Sequence, residues 1–323
     1  MRTDGADAMG ALRVFITGAG SYVGRAVAEF AMRAGYEVVL HSRYGHRGGW
    51  PEVPEVFPVE GPLDGPDMPG LLTGCAALIH VAGRMSGSED EFRKDVVEDS
   101  TALMRAAAKA GVPRVVLAGS VSVYGAGDPG KVITEDSPLE PRPDLRDAYM
   151  RAKLAQEDVM QAEADKAGMD LSILRLGAIW GPGRLWSAHF GPSKGSVLIR
   201  IGRDGQVPLC EIDRAGEALV AAVTAPPCTV NVLDDDLPDR VRFLNALSVS
   251  GWPRVILPIH WRLLDRIAGD NPNRPGLLRR PTLRARMMPM GWDGSCAVEA
   301  LGLAPQHEFE ALMAANLIAG VEA

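Results

Sequence analysis

The sequence predicts an α/β fold, a doubly wound parallel sheet covered by helices on both faces and followed by a smaller C-terminal lobe. Short apolar runs alternate with helical patterns up to Gly177, and several of these runs end at a glycine. A glycine cluster follows the first run, and beyond Gly177 glycine, proline and tryptophan become frequent while the alternation weakens. Continuous apolar strands between helices are typical of a parallel sheet that is buried on both faces.

Six strands are predicted in the first part of the chain, in the runs ALRVFITG, EVVLHSR, EVFPVEG, CAALIHVAG, PRVVLAGS and LSILRLG. The helix after the first strand, YVGRAVAEFAMRAG, carries apolar side chains on one face and stops at Gly35. Longer helices are predicted at 89–110 and 147–167. We predict a tail at residues 1–10, a parallel-sheet domain at 11–177, and a second lobe at 178–323 from which about 211–233 return a helix and a strand to the sheet.

The composition excludes several classes of function. A net charge of −7 with 23% charged residues provides no basic footprint for nucleic acid or an anionic membrane. No apolar run approaches the ~20 residues that span a bilayer. The four cysteines are far apart and the six histidines are scattered, so we predict neither a disulfide framework nor a metal site. These features predict a cytoplasmic protein with no nucleic-acid, membrane or metal partner.

The stretch ITGAGSYVG predicts a phosphate-binding turn between the first strand and its helix. Such a turn lets backbone amides and a helix N-terminus approach a pyrophosphate. The turn would make the domain at 11–177 a Rossmann-type, dinucleotide-binding one. Its predicted cofactor contacts are Gly18, Gly20, Ser21, Tyr22, Val23 and Gly24.

The end of the second strand indicates which dinucleotide binds. An acidic side chain there would accept hydrogen bonds from the ribose of NAD, whereas this chain has Ser42 and Arg43, followed by His46 and Arg47. A guanidinium suits a 2′-phosphate, so we predict NADP as the cofactor, with NAD as the second choice. The alternative is that Arg43 is an ordinary solvated surface charge.

Two polar positions in the segment AYMRAKL predict a catalytic pair. Tyr149 and Lys153 are four residues apart on a predicted helix and therefore share a face. An ammonium near a phenol favours the phenolate and lowers the tyrosine pKa. Ser120 ends the fifth strand, where a doubly wound sheet places its active site, and Ser122 is the alternative serine.

Taken in order, these motifs resemble the extended short-chain dehydrogenase/reductase family, also called the NAD-dependent epimerase/dehydratase family. ITGAGSYVG is similar to its TGxxGxxG turn, VVLAGSVSVYG to its serine strand and LRLGAIWGPGR to its RPxxVYGPG segment. The resemblance implies a catalytic triad of Ser120, Tyr149 and Lys153, in which Tyr149 exchanges a proton with substrate and Lys153 also holds the nicotinamide ribose. It further implies a homodimer and additional cofactor contacts at Leu63, Val81, Ala82, Gly83 and Gly177.

Several positions depart from the family pattern. Ser21 replaces a glycine of the turn, and Pro62 stands where many members carry an aspartate. Val121 and Ser122 replace the Asp-Glu pair of sugar 4,6-dehydratases, which argues against that chemistry. Ala178 replaces an asparagine that contacts nucleotide-sugar phosphate.

Other side chains in the second lobe have two readings. A set of arginines could bind a diphosphate or be solvated, namely Arg184, Arg200, Arg203 and Arg240. Trp180, Trp186 and His189 could line an apolar substrate pocket or pack between the lobes.

The sequence therefore predicts an NAD(P)-dependent oxidoreductase that moves hydride between nicotinamide C4 and a ketone or secondary alcohol of a small-molecule substrate. One alternative is a nucleotide-sugar epimerase or 4-keto reductase. The other is a non-catalytic NADP-binding regulatory protein, because a fold alone does not confer activity.

Overall fold

The computed structural model describes residues 11–43 and 49–322. The predicted tail at 1–10, and His46 and Arg47, lie outside these residues. The strands are β1 (Arg13–Thr17), β2 (Glu37–Ser42), β3 (Val56–Glu60), β4 (Ala77–His80), β5 (Arg114–Ser120), β6 (Val132–Ile133), β7 (Asp170–Leu176), β8 (Ala178–Trp180), β9 (Ser193–Lys194), β10 (Val197–Ile201), β11 (Leu209–Glu211), β12 (Thr229–Val232), β13 (Val255–Ile259) and β14 (Gly291–Trp292). The α-helices are α1 (Tyr22–Arg33), α2 (Met68–Leu72), α3 (Glu89–Phe92), α4 (Asp99–Ala110), α5 (Ala148–Ala167), α6 (Ile212–Ala221), α7 (Arg240–Leu247), α8 (Trp261–Ile267), α9 (Arg280–Met287), α10 (Ser295–Leu301) and α11 (Phe309–Glu322).

The central sheet contains seven parallel strands in the order β3-β2-β1-β4-β5-β7-β12. The predicted doubly wound α/β fold is confirmed. The chain reverses its direction of travel through the sheet between β1 and β4, which is where such sheets bind ligands. At this point Thr17, the last residue of β1, lies between His41 of β2 and His80 of β4.

Each face of the sheet has its own apolar core. One face packs under α1 and α6 and includes Val27 and Leu219; the other packs under α2, α4 and α5 and includes Leu103 and Met160. Helices α1 and α6 approach closely at Gly216, where a Cβ would lie 2.8 Å from the Phe30 ring. Both faces are covered, so the strands carry apolar residues continuously rather than in alternation.

The helix predicted at 89–110 is interrupted. Between α3 and α4 the segment Arg93–Glu98 forms a π-helix, whose wider turn inserts an extra residue. Ser88 caps α3 with a reciprocal Ser-Glu capping box, and Gly111 ends α4 in the left-handed conformation at φ 75°. The sequence pattern did not predict the π-helix because its apolar spacing is close to that of an α-helix.

We call the region after Gly177, apart from α6 and β12, the second lobe; its strands are short. Strand β10 pairs with β9 and β13, β8 pairs with β11, and β14 pairs with β6, which precedes α5. An aromatic cluster of Trp180, Phe190, Phe243 and Phe309 forms its core. Within the described residues no helix is long and apolar enough to cross a membrane.

Candidate active site

A cleft of about 1030 Å³ lies over the carboxyl ends of β1, β4, β5 and β7. The sequence-predicted residues on its wall are Gly18, Gly20, Ser21, Tyr22, Val23, Ser42, Arg43, Leu63, Val81, Ala82, Gly83, Ser120, Tyr149, Lys153 and Gly177. Gly24 does not lie on this wall. Its amide donates to Ser21 Oγ at 3.0 Å, and a Cβ there would lie 2.1 Å from the Gly18 oxygen. Gly24 therefore lets α1 pack against the turn.

The glycine turn has room for a ligand above it. Gly18 adopts φ 66°, and a Cβ there would lie 2.9 Å from the Ala82 amide nitrogen, so β1 and β4 can approach only because this residue is glycine. A Cβ at Gly20 would meet nothing within 4 Å. Ser21 has φ −78°, so serine fits here without strain, and its side chain caps α1. The N-terminus of α1 thus opens into the cleft.

Ser120, Tyr149 and Lys153 converge on one side of the cleft because β5 ends where α5 begins to cross it. Asp147 caps α5, its side chain accepting from the Met150 amide at 3.0 Å, and this sets the first turn that carries Tyr149. Burial raises the pKa of Tyr149, and a side-chain hydrogen bond with Ser120 opposes that rise. We expected the Lys153 ammonium to lower this pKa. In the structure the ammonium is instead hydrogen-bonded to the Ala118 carbonyl at 2.8 Å.

Lys153 is the end of a buried chain of hydrogen bonds that the sequence analysis did not find. Its ammonium also donates to Gln156 Oε1 at 2.9 Å, and Gln156 Nε2 donates to Ser100 Oγ at 2.8 Å. Ser100 Oγ in turn contacts His80 Nε2 at 2.9 Å, and His80 Nδ1 contacts Thr17 Oγ1 at 2.8 Å. All five side chains are at least nine-tenths buried.

The directions in this chain can be assigned. Ser100 donates its proton to the Val96 carbonyl, so it accepts from His80 Nε2–H. His80 Nδ1 then accepts from the Thr17 hydroxyl, whose oxygen accepts from the Val81 and Ala82 amides at 3.1 Å each. Burial, with the Lys153 charge as a smaller cause, lowers the His80 pKa to about 3, so the imidazole is neutral. His80 therefore connects the wall that carries Lys153 to the β1 turn.

Burial also sets the charge state of Lys153. It lowers the Lys153 pKa to about 8, while the nearby Glu157 carboxylate opposes the effect. Glu157 is held by Arg175, which donates to it from Nη2 at 2.8 Å and, through Nη1, to the Tyr124 hydroxyl at 2.8 Å. Lys153 is thus protonated at neutral pH and close to its titration point in mildly alkaline solution.

Arg43 lies at the end of β2 as predicted, but its guanidinium is paired. It contacts Asp95 at 2.9 Å and Asp99 at 2.6 Å. Asp95 also holds Arg84 at 2.6 Å. The π-helix and the start of α4 supply both carboxylates, so a two-arginine, two-aspartate cluster borders this end of the cleft.

The other end of the cleft combines apolar side chains with arginines. Met85, Trp186, Met290 and Trp292 line it, together with His189. Two arginines there are neutralised by acidic partners at 2.8 Å, Arg146 by Glu140 and Arg286 by Asp147. Burial, followed by the charges of Arg240, Arg286 and Arg146, lowers the His189 pKa to about 3. The Ser122 hydroxyl lies on this wall and, within the described residues, has no hydrogen-bond partner.

Of the second-lobe residues singled out in the sequence, some line the cleft and others are buried in the core. Trp186 and His189 line the cleft, whereas Trp180 is buried in the aromatic cluster and donates to Asp234 at 2.6 Å. Arg240 is buried with its guanidinium on the carbonyls of His189, Asp204 and Arg286. Of the four predicted arginines, Arg184 lines the cleft, its guanidinium 4.5 Å from the centre of the Tyr22 ring. Arg203 borders a separate depression of about 350 Å³.

The model of the NAD dependent epimerase/dehydratase family matches residues 14–210, which span β1, the glycine turn, Ser120, Tyr149 and Lys153. The chain belongs to this family. The match covers more than half of the chain, and the relatives described below are reductases and an epimerase, so the protein is an enzyme of the NAD-dependent epimerase/dehydratase family. The residues matched end just before α6, and much of the second lobe lies beyond them.

Two curated reductases are similar to this family member. A 2-alkyl-3-oxoalkanoate reductase of Shewanella oneidensis is 28% identical over 75% of this chain and 67% of its own length. A 4-hydroxy-2-methyl-3-oxo-4-farnesyl-3,4-dihydroquinoline-1-oxide ketoreductase of Stigmatella aurantiaca is 26% identical over 53% of this chain, and the chain spans about half, 51%, of that relative. Among solved structures, UDP-glucuronic acid 4-epimerase from Bacillus cereus, in complex with UDP-glucuronic acid and NAD, has a TM-score of 0.71 at 16% identity and covers 96% of this chain and 99% of its own. That likeness shows a shared fold.

Within the described residues no group of three or more His, Cys, Asp or Glu side chains is arranged to hold a metal ion.

Proposed function

We propose that this protein is an NADP-dependent reductase that acts on a ketone or, in reverse, on a secondary alcohol. The observation that supports it best is the convergence of Ser120, Tyr149 and Lys153 on the cleft wall beside the glycine turn. The open space above Gly20 and the exposed N-terminus of α1 fit the pyrophosphate of a dinucleotide. When bound, the nicotinamide supplies the hydride that adds to the carbonyl carbon.

In this proposal the residues of the cleft handle the oxygen and its proton. Ser120 donates a hydrogen bond to the substrate carbonyl and orients it against Tyr149. Tyr149 gives its phenolic proton to the oxygen as the carbonyl carbon is reduced, which leaves an alcohol and a phenolate. The Lys153 ammonium stabilises that phenolate and binds the ribose of the cofactor, so the Tyr149 pKa falls from its raised value only when the site is assembled.

Arg43 supports NADP as the cofactor, because a guanidinium at this position suits a 2′-phosphate. Its pairing with Asp95 and Asp99 weakens the available positive charge, so binding of the phosphate would have to displace or share these contacts. NAD is the second choice, because the epimerase neighbour is described in complex with NAD.

The residues that line the substrate end of the cleft support an apolar ketone as the substrate. Met85, Trp186, Met290 and Trp292 line it, and two arginines on the same wall, Arg146 and Arg286, are neutralised by carboxylates. The names of both curated relatives describe reduction of a ketone on a molecule that carries an alkyl or farnesyl chain. We propose the same substrate class here.

A nucleotide-sugar epimerase is the second candidate. Arg184 supports it, because this guanidinium lies on the cleft wall and could bind a diphosphate. An epimerase oxidises and re-reduces one sugar, so it keeps its cofactor through turnover, whereas a reductase exchanges it.

The first experiment is the cofactor content of the purified protein, followed by fluorescence titration with NADPH and NADH. We expect freely exchanging cofactor, a preference for NADPH, and NADPH oxidation with aliphatic 3-oxo acids. Arg43→Gln should weaken NADPH binding by roughly tenfold and leave NADH binding nearly unchanged. Arg33→Gln, on the exposed side of α1, is the matched control.

Two outcomes would contradict the proposal. Tightly retained NAD with turnover of UDP-sugars would favour the epimerase. Equal effects of Arg43→Gln on both cofactors would remove the 2′-phosphate role of Arg43. If the protein reduces ketones but prefers NADH, the assignment as a reductase stands and the assigned cofactor changes to NAD.

A further inference from the structure

Strand β13 and helix α8 present an exposed apolar surface on the second lobe. Val255, Ile256 and Leu257 of β13 are 46%, 39% and 50% exposed, and Leu263 and Ile267 of α8 are 55% and 59% exposed. Isolated exposed aliphatic side chains are ordinary, but here five occur within thirteen consecutive residues.

The local structure explains why these side chains are exposed. Successive strand residues point to opposite sides of a sheet, so Val255 and Leu257 share one side of β13 and Ile256 lies on the other. Strand β13 pairs with β10 and is the edge of its three-stranded sheet. Helix α8 is anchored by the buried Trp261 and the half-buried Leu264, which pack in an apolar cluster that also contains Leu283 and Met287 of α9. Because residues four apart share a helical face, Leu263 and Ile267 lie together on the outer side of α8.

Unpaired arginines accompany the apolar side chains. Arg254 precedes β13, and Arg262 and Arg266 are four apart on α8, next to Leu263 and Ile267; all three are exposed. Within the described part of the chain none of the three makes an ion pair, although Arg262 lies over the Trp261 ring at 5.7 Å. We call these three arginines, together with Val255, Leu257, Leu263 and Ile267, the basic apolar face.

The charge of this region is opposite to that of the whole chain. Residues 252–288 contain eight arginines and two aspartates, within a protein of net charge −7. Both aspartates are engaged by other arginines, Asp265 by Arg284 at 2.8 Å and Asp270 by Arg142 at 3.2 Å. The exposed arginines therefore keep their positive field, which the net charge of the full sequence conceals.

We propose that the basic apolar face binds the surface of an anionic lipid bilayer. Aliphatic side chains that enter the interfacial region, flanked by arginines that reach lipid phosphates, are the combination that holds a protein on such a surface. A second copy of the chain fits less well, because a twofold contact would bring the same arginines together. Single-stranded nucleic acid is recognised by stacking on exposed aromatic rings, whereas the large exposed side chains here are aliphatic and Trp261 is buried.

The face is placed near the substrate end of the cleft. Helix α8 packs on α9, and α9 contributes Ala285 and Arg286 to the cleft wall. Docking would therefore hold that end of the cleft close to the bilayer, where a ketone with an alkyl chain partitions. This last consequence depends on the proposed function, while the binding itself does not.

Sedimentation with vesicles tests the proposal directly. The full chain is mixed with vesicles of phosphatidylcholine alone, or of phosphatidylcholine and phosphatidylglycerol in equal amounts. We expect binding to the anionic vesicles only, weakened by salt. Leu263→Ser with Ile267→Ser, and separately Arg262→Gln with Arg266→Gln, should each weaken it by roughly tenfold or more.

Matched controls lie on other surfaces. Ile318→Ser on α11 removes an aliphatic side chain that is 64% exposed, and Arg105→Gln on α4 removes an arginine whose side chain is 66% exposed. Both should bind vesicles as the unmodified protein does. Absence of binding to anionic vesicles, equal binding to neutral ones, or equal weakening by the controls would overturn the proposal. Loss of a dimer in the Leu263–Ile267 variant, seen by sedimentation velocity without any vesicle binding, would assign the face to a second copy.

NADPH or NADH titration separates this proposal from the proposed function. The two double variants of the face should bind the dinucleotide as the unmodified protein does, because none of their residues lines the cleft.

Discussion

The amide oxygen of Gln156 accepts a hydrogen bond from the Lys153 ammonium at 2.9 Å, three residues earlier on the same helix. The side-chain nitrogen of Gln156, Nε2, donates to Ser100 Oγ. From Ser100 the chain of hydrogen bonds continues to His80 and Thr17. Gln156 does not reach the cleft wall. It acts through Lys153, which makes it a positioning residue for the proposed reaction.

Replacement of Gln156 should shift the titration of Lys153 in a direction set by the substituent. Gln156→Leu removes an acceptor that stabilises the ammonium, so the Lys153 pKa should fall further below about 8. Gln156→Glu places a carboxylate there and should raise it. The pH profile of kcat should move to lower pH in the first variant and to higher pH in the second. A purely structural role for Gln156 would lower stability in both variants without moving the profile.

Tyr149→Phe should remove turnover while preserving cofactor binding. Phenylalanine keeps the ring packing against Phe92, whose centroid lies 6.4 Å from that of Tyr149, but it has no proton to transfer. General acid catalysis typically contributes about 10²–10⁴ in rate, so we expect a loss of that order in kcat. Unchanged NADPH titration would show an intact fold. Turnover equal to that of the unmodified protein would refute the proposed role and favour the non-catalytic reading.

Asp95→Asn should strengthen NADPH binding. Asp95 contacts both Arg43 and Arg84, so its neutral form releases positive charge at the end of β2. We expect NADPH affinity to rise a few-fold and NADH affinity to stay nearly constant, both measured by fluorescence titration. Asp90→Asn, an exposed aspartate of α3, is the control. If the affinity for NADH rises as much as the affinity for NADPH, the arginine-aspartate cluster does not act on a 2′-phosphate.

Glu211 should make the protein less stable as the pH rises. Burial, the largest cause, raises its pKa from 4.5 to about 7, and the Asp213 and Asp234 charges add to the rise. Below the pKa that Glu211 has in the unfolded chain, the carboxyl is protonated in both the folded and the unfolded protein, so it does not change the free energy of unfolding. Between about 4.5 and about 7 the unfolded chain loses its proton first, so this group lowers the free energy of unfolding, by ~3 kcal/mol at most.

Glu211→Gln tests this expectation because it keeps an oxygen that can accept from the Asp213 amide, as Glu211 does at 2.7 Å. At pH 8 the free energy of unfolding of the variant should exceed that of the unmodified protein, and at pH 5 the two should be nearly equal. Urea unfolding measures both. Glu29→Gln, on the exposed side of α1, should show no such difference. A gain that is the same at both pH values would contradict the assignment.

The sequence determined the features that depend on neighbouring residues. The apolar runs predicted the strands of the parallel sheet, and the glycines of the turn at Gly18 and Gly20 follow the first run directly in the sequence. The four-residue spacing of Tyr149 and Lys153 on a helix is likewise local. Such features are encoded locally because strand burial, turn conformation and helical periodicity are properties of short segments.

Tertiary structure decided which groups these residues meet. Arg43 pairs with aspartates more than fifty positions away, one in the π-helix and one at the start of α4, and the apolar pattern places neither of them beside β2. His80, Ser100 and Gln156 become one chain only where β4, α4 and α5 pack together, and Trp180 enters the core while Trp186 lines the cleft. Hydrogen bonds and ion pairs require contact within a few ångströms, and between distant segments that contact is set by packing of the whole fold.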